Sequence, residues 1–140
     1  MSSPASAGGV PDLAEVSEYL GAAGLRLTEV TSTRVVGVID LGPEHHTPFG
    51  IVHGGVYCSA VETAASVGAS AAAAERGQVA VGVVNTTNFL RPLTAGRVTV
   101  TATAVQQGRT QQLWQVDVVD EAGRLIATGQ LRLQNVERPT

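Results

Sequence analysis

The chain has 140 residues, 44% of them hydrophobic and only 4% aromatic, and a formal net charge of −3. That length suits one compact domain with a core of Val, Leu, Ile and Ala. The apolar fraction excludes wholesale disorder, and the negative balance argues against a general nucleic-acid surface. A single cysteine, Cys58, excludes an internal disulfide and fits a reducing compartment, so a cytoplasmic location is expected. One Cys and three His, two of them adjacent, argue against a zinc site.

Residues 1–11 begin with a Ser-, Ala- and Gly-rich stretch that lacks the basic start and apolar core of a signal peptide. They read as a disordered tail ahead of a single domain at 12–140. Pro11 and Asp12 open a short amphipathic helix with Leu13, Val16 and Leu20 on one side, ended by Gly21 and Gly24. Leu25 to Thr31 and Arg34 to Leu41 read as two strands joined by Ser32-Thr33, with Val35, Gly37, Ile39 and Leu41 facing one way. A Gly-, Pro- and His-rich loop covers 42–52.

Gly54 to about Arg76 is too long for a strand and Ala-rich, which favours a helix, and Gly77 is a natural stop. It is the one stretch long enough to cross a membrane, but it is weakly apolar and carries Glu62 inside, so no membrane is expected. Val79 to Phe89 is β-branched and nearly continuous, as in a strand covered on both faces. Arg91-Pro92 to Gly96 forms a loop. From Arg97 to Val105, Val98, Val100, Ala102 and Ala104 alternate with Thr99, Thr101 and Thr103. Gln112 to Asp120 and Arg124 to Asn135 form a hairpin around Glu121-Ala122-Gly123, with Leu125, Ala127, Leu131 and Leu133 on one face. The order gives an α+β layout: one antiparallel sheet and one major helix whose Ala/Gly/Ser surface lets a sheet curl closely around it.

The chemistry concentrates in His53-Gly54-Gly55-Val56-Tyr57-Cys58-Ser59-Ala60-Val61-Glu62. Two glycines stand where a loop enters the helix, so first-turn N–H groups are open to a ligand oxygen. Glu62 follows about two turns later as the one charge between Val56 and Ala74. A lone carboxylate on such a surface is costly unless paired or used. A base or nucleophile beside an oxyanion pocket is the specific expectation.

This layout, together with His53-Gly54-Gly55 and Glu62, Asn88-Phe89-Leu90-Arg91-Pro92 and Gly123-Arg124-Leu125-Ile126-Ala127, resembles the hotdog-fold acyl-CoA thioesterases. It is most similar to their phenylacetic-acid-pathway and Arthrobacter-type 4-hydroxybenzoyl-CoA branch, from about Leu13 to Asn135. The resemblance implies one long helix wrapped by a curved antiparallel sheet, and hydrolysis of an acyl-CoA to a free acid and CoA. Glu62 would act as base or nucleophile, a Gly54 or Gly55 N–H would polarise the thioester carbonyl, and Ser66, one turn on, would help hold the water. Arg91, Arg109 and Thr110 match positions that contact the phosphates and ribose of CoA. The family commonly has an Asn or Gln about fifteen residues before the carboxylate. Thr47 stands there instead, with His45 and His46 beside it, so either a histidine takes over or the loop differs. The active site would lie between subunits of a homodimer, with a homotetramer as the expected assembly. No cofactor or metal is implied; CoA is part of the substrate.

Plainer readings stand beside these. Glu62 could be a buried carboxylate satisfied by Ser59 or Ser66. His53 is expected to brace the glycine turn at the substrate's edge, while His45 and His46 belong to a solvated loop at the site mouth. Cys58 reads as a small buried hydrophobe and Trp114 as core or interface. Two rival functions share the fold: an enoyl-CoA hydratase or dehydratase using a loop histidine with the helix carboxylate, and a non-catalytic acyl-CoA binding module.

Overall fold

Period-two alternation builds the inner face of the sheet, and small residues build the helix that lies on it. The computed structural model describes residues 9–139. Two short helices, α1 (Leu13–Val16) and α2 (Glu18–Ala23), precede strands β1 (Arg26–Val30) and β2 (Arg34–Leu41). The long helix α3 (Gly54–Ala74) follows, then β3 (Gln78–Phe89), β4 (Gly96–Gln107), β5 (Gln111–Asp120) and β6 (Leu125–Glu137). The strands form one antiparallel six-stranded sheet in the order β1-β2-β4-β5-β6-β3. Helix α3 packs against one face of it, which is the hotdog arrangement. Among the described residues, no helix is long and apolar enough to cross a membrane.

The inward faces agree with the alternation. Val35, Ile39, Val98, Val100, Ala102, Val116, Val118, Leu131 and Leu133 are almost wholly buried. Trp114 is fully buried and its ring lies against Gly68 of α3, where an added Cβ would stand 2.4 Å from the indole. A polar node sits beside this contact. The Trp114 Nε1–H donates to Gln112 Oε1 at 2.9 Å, and Gln112 Nε2 donates to the Ala69 carbonyl at 3.0 Å and to Asn135 Oδ1 at 2.9 Å. Buried Gln112 is thus satisfied on both sides, as a polar group in a core must be.

Several expectations change. The single N-terminal helix is two helices, because Ser17 closes one and opens the next. Its N–H donates to the Leu13 carbonyl at 3.2 Å and its Oγ accepts from the Leu20 N–H at 3.3 Å. Leu13 is buried while Val16 is exposed. Gly21 lies inside α2, and only Gly24, with φ +86°, ends it. Val10 is buried in the core, so packing begins ahead of Asp12; residues 1–8 of the expected tail lie outside the described residues. Leu125 is half exposed, beyond a bulge at Val118/Val119 that resets the register of the hairpin.

The largest difference concerns β3. It is not covered on both faces but forms the sheet edge beyond β6, with Val81, Val83 and Val84 49–53% exposed. A twelve-residue apolar edge strand is what isolated chains avoid exposing. On the far side of the sheet, Asp40 accepts from Arg97 at 2.7 and 3.1 Å and pairs with Arg26 at 3.0 Å, which lowers its pKa to about 2.

The Gly68 contact gives a direct test. In most helices Gly→Ala stabilises by about 1 kcal/mol. Here Gly68→Ala drives a methyl into the Trp114 ring, so the sign should reverse, with a loss of roughly 1–3 kcal/mol seen as a lower Tm.

Candidate active site

The start of α3 is shaped by its own cap. His53 is the N-cap residue, and its Nδ1 accepts the Gly55 N–H at 2.7 Å. The Val56 N–H turns back to the His53 carbonyl at 3.0 Å. The Gly55 N–H is therefore committed, contrary to the expectation that either glycine could meet a ligand, and His53 is a bracing residue. The Gly54 N–H has no partner among the described residues. At Gly54 an added Cβ would run into the Phe89 ring, so any side chain there would have to push that exposed ring aside.

Gly54 opens onto a cleft of about 300 Å³ whose walls include Thr47, Tyr57, Phe89, Leu90 and Arg91. Thr47 is held by its own turn. Its N–H donates to the Ile51 carbonyl at 2.7 Å and its Oγ1 accepts the Phe49 N–H at 3.1 Å, which leaves the hydroxyl proton free to donate. Tyr57 is 3% exposed and its hydroxyl has no hydrogen-bond partner among the described residues. Burial pushes its pKa up, so the phenol stays protonated.

Glu62 lies about two turns further along α3, roughly 12 Å up the axis. It is exposed, and no ion pair or hydrogen bond to it occurs among the described residues. The reading of a buried carboxylate held by serines fails. Ser59 Oγ donates to the Gly55 carbonyl at 2.8 Å and bonds the Tyr19 hydroxyl. Ser66 is half-buried one turn beyond Glu62, on the same side. Cys58 is half exposed rather than a core residue. Its carbonyl accepts from Asn85 Nδ2 at 3.0 Å, and Thr87 Oγ1 donates to Asn85 Oδ1 at 2.7 Å, which pins β3 to the helix one turn before Glu62.

The loop histidines face elsewhere. His45 is buried rather than solvated: Nδ1 accepts the Gly42 N–H and Nε2 donates to the Ala22 carbonyl, both at 3.2 Å. His46 Nε2 donates to the Thr94 carbonyl at 2.6 Å. Both line a second cleft with Tyr19, His53 and Ser59, on another side of the helix start from Thr47 and Phe89. Within one chain Thr47, not either histidine, lines the cleft beside Gly54.

Arg91 and Arg109 are exposed, and neither joins an ion pair among the described residues. The Arg91 N–H donates to the Ile126 carbonyl at 3.2 Å, while the carbonyls of Arg109 and Thr110 accept from Asn135 at 3.2 and 2.8 Å. These anchors stand at opposite ends of β6, roughly 30 Å apart, so one chain does not bring the two arginines together. Sequence reasoning assigns no role to Tyr57 or to the Phe89 ring. The available signal is that Tyr57 is the one aromatic residue between Gly54 and Ala74.

Residues 49–127 match the Thioesterase superfamily. Rv1847 of Mycobacterium tuberculosis (strain ATCC 25618 / H37Rv), which carries an esterase name, is 43% identical over 117 residues, 81% of this chain and 83% of that protein. Its solved structure aligns with TM-score 0.85 at 39% identity, covering 89% of this chain and all of that one. The 1,4-dihydroxy-2-naphthoyl-CoA hydrolase of Listeria monocytogenes is 34% identical over 103 residues, 74% of this chain and 83% of that protein. A single-residue mutant of the phenylacetic acid degradation protein PaaI from Thermus thermophilus aligns with TM-score 0.77 at 26% identity, over 86% of this chain and all of that one. By sequence match and by the helix-on-sheet arrangement alike, this chain belongs to the Thioesterase superfamily, and it has the hotdog fold.

Proposed function

We propose that the protein is a homo-oligomeric acyl-CoA thioesterase, similar to the PaaI and aryl-CoA hydrolase branch of its superfamily, and that Glu62 is its catalytic carboxylate. The observation that carries this reading is an unpaired carboxylate on the open side of α3, on the same helix as an unpaired Gly54 N–H beside a cleft.

In the reaction the acyl group lies near the helix start with its carbonyl oxygen on the Gly54 N–H, where the helix dipole favours the developing oxyanion. Glu62 takes a proton from a water that attacks the thioester carbon, or attacks it directly and is released by water in a second step. The C–S bond breaks, CoA leaves as a thiolate that regains a proton, and the free acid departs. Ser66 is suited to hold the water. Each of these steps is assigned to a residue of the protein, and none calls for a cofactor.

One chain is incomplete for this chemistry. The Gly54 N–H points away from the helix body, and Glu62 sits about 12 Å behind it, so one carbonyl cannot meet both within a subunit. A second copy supplies the missing half. The apolar β3 edge suits pairing with its twin across a two-fold axis, which extends the sheet. Antiparallel pairing also brings the partner's Arg109 to the end of the sheet where Arg91 stands, roughly 15 Å away by strand spacing. Two subunits could then hold the phosphates of one CoA. The hydratase reading loses support because His45 and His46 spend ring nitrogens on backbone carbonyls.

Glu62→Gln should lower kcat by roughly 10²–10⁴ with circular dichroism and oligomeric state intact. Wild-type turnover in that variant would exclude the mechanism. CoA release over an acyl-CoA panel separates hydrolase from binding module. Light scattering should give a dimer or tetramer, and Val83→Lys, which charges the β3 edge, should yield smaller, inactive species; a folded wild-type monomer at micromolar concentration would refute the shared site. Arg91→Ala and Arg109→Ala should raise KM for acyl-CoA more than they change kcat. Each should leave hydrolysis of acyl-N-acetylcysteamine, which lacks the nucleotide, nearly untouched; equal losses on both substrates would make the arginines structural.

A further inference from the structure

The cleft beside Gly54 is apolar apart from a few groups, and one of them is unexplained. Tyr57 lies in its wall, 3% exposed, with a hydroxyl that meets no donor or acceptor among the described residues. Leaving a buried hydroxyl unpaired carries a desolvation cost, and phenylalanine would fill the same space without it. The ring is fixed in place. Phe89 stands 6.2 Å away, tilted by 46°, and the backbone of α3 carries Tyr57 one turn beyond Gly54. The other polar groups of the cleft are placed differently: the Thr47 Oγ1 already accepts within its turn, the Gly54 N–H lies at the helix start, and the Arg91 side chain is exposed.

We infer that Tyr57 is a specificity residue whose hydroxyl pairs with an oxygen carried on the bound acyl group, so that the enzyme prefers acyl groups with a hydroxyl or keto oxygen in their body over plain hydrocarbon ones. This rests on the thioesterase reading and goes beyond it in assigning a role to Tyr57 and a polarity to the substrate. The phenol stays protonated, so it can donate to either kind of oxygen and accept from a hydroxyl. A site that offers a buried polar group discriminates against an analogue lacking the matching atom, because the protein group is then left unpaired. Phe89, exposed over Gly54, lines the same cleft as Tyr57.

The test compares wild type with Tyr57→Phe on thioesters matched except for one oxygen: octanoyl-CoA with 3-hydroxyoctanoyl-CoA, and benzoyl-CoA with 4-hydroxybenzoyl-CoA. In at least one pair the wild type should favour the oxygenated ester, and the substitution should cut that preference in kcat/KM by about tenfold. Its Tm should be equal to or above wild type, since an unpaired buried group has been removed. Unchanged preferences in both pairs would overturn the inference. So would an equal loss on both members, which would place the hydroxyl on the thioester itself, and so would a lower Tm or a dissociated oligomer, which would give it a structural partner. If the wild type releases no CoA from any of these esters, it is the hydrolase reading that fails; the ratio of Kd values for the same pairs, measured by calorimetry, then still decides the role of Tyr57.

Discussion

How close α3 can come to the sheet decides most of what this molecule presents. A helix of Ala, Gly and Ser has little to bury by itself, so it is held by proximity: Gly68 receives the Trp114 ring, and Gly129 of β6 brings its backbone against Val61. Close packing of this kind tolerates little volume change. It also fixes the direction of the remaining helix positions. With Ala60, Val61, Ala64, Ala65 and Gly68 turned to the sheet, Glu62 and Ser66 are left on the open side. The chemistry is placed by what the neighbouring residues bury.

The same helix imposes a separation. A rise of about 1.5 Å per residue puts Gly54 and Glu62 too far apart to act on one atom within a chain, and no side-chain rotamer changes that. In the proposed reaction the polarising helix end and the carboxylate are therefore two half-sites. An apolar edge strand bound to the helix through Asn85 then offers the surface on which halves from two chains can meet. On the proposed reading, assembly and chemistry become one requirement.

Much of this is legible in the sequence. The threonine alternation of 97–105 and the length of the Ala-rich segment give β4 and α3 nearly to the residue, and the glycine pair with Glu62 marks the helix that carries the candidate site. What fails to show has identifiable causes. The pattern Leu13, Val16, Leu20 is amphipathic straight through Ser17, and only a serine that caps in both directions breaks it. A polar histidine loop looks solvated until α2 ends above it and offers the Ala22 carbonyl to His45. Two glycines in a row do not say which N–H stays free; that depends on the reach of the His53 ring. A β-branched run fits either a central strand or an edge awaiting its twin, and one chain's pattern does not separate the two.

The Gln112 node reaches further than the core it fills. From the Ala69 carbonyl it passes through Gln112 to Asn135, and Asn135 Nδ2 in turn holds the carbonyls of Gly108 and Arg109, each at 3.2 Å. The β4–β5 turn is thereby anchored from the inside to the C-terminal third of the long helix. In the proposed CoA complex, a phosphate arriving at Arg109 would meet backbone already anchored by Asn135, so little of its binding energy would be spent on ordering a loop. The packing that stabilises the fold at Trp114 thus also preorganises a surface at the far end of the sheet.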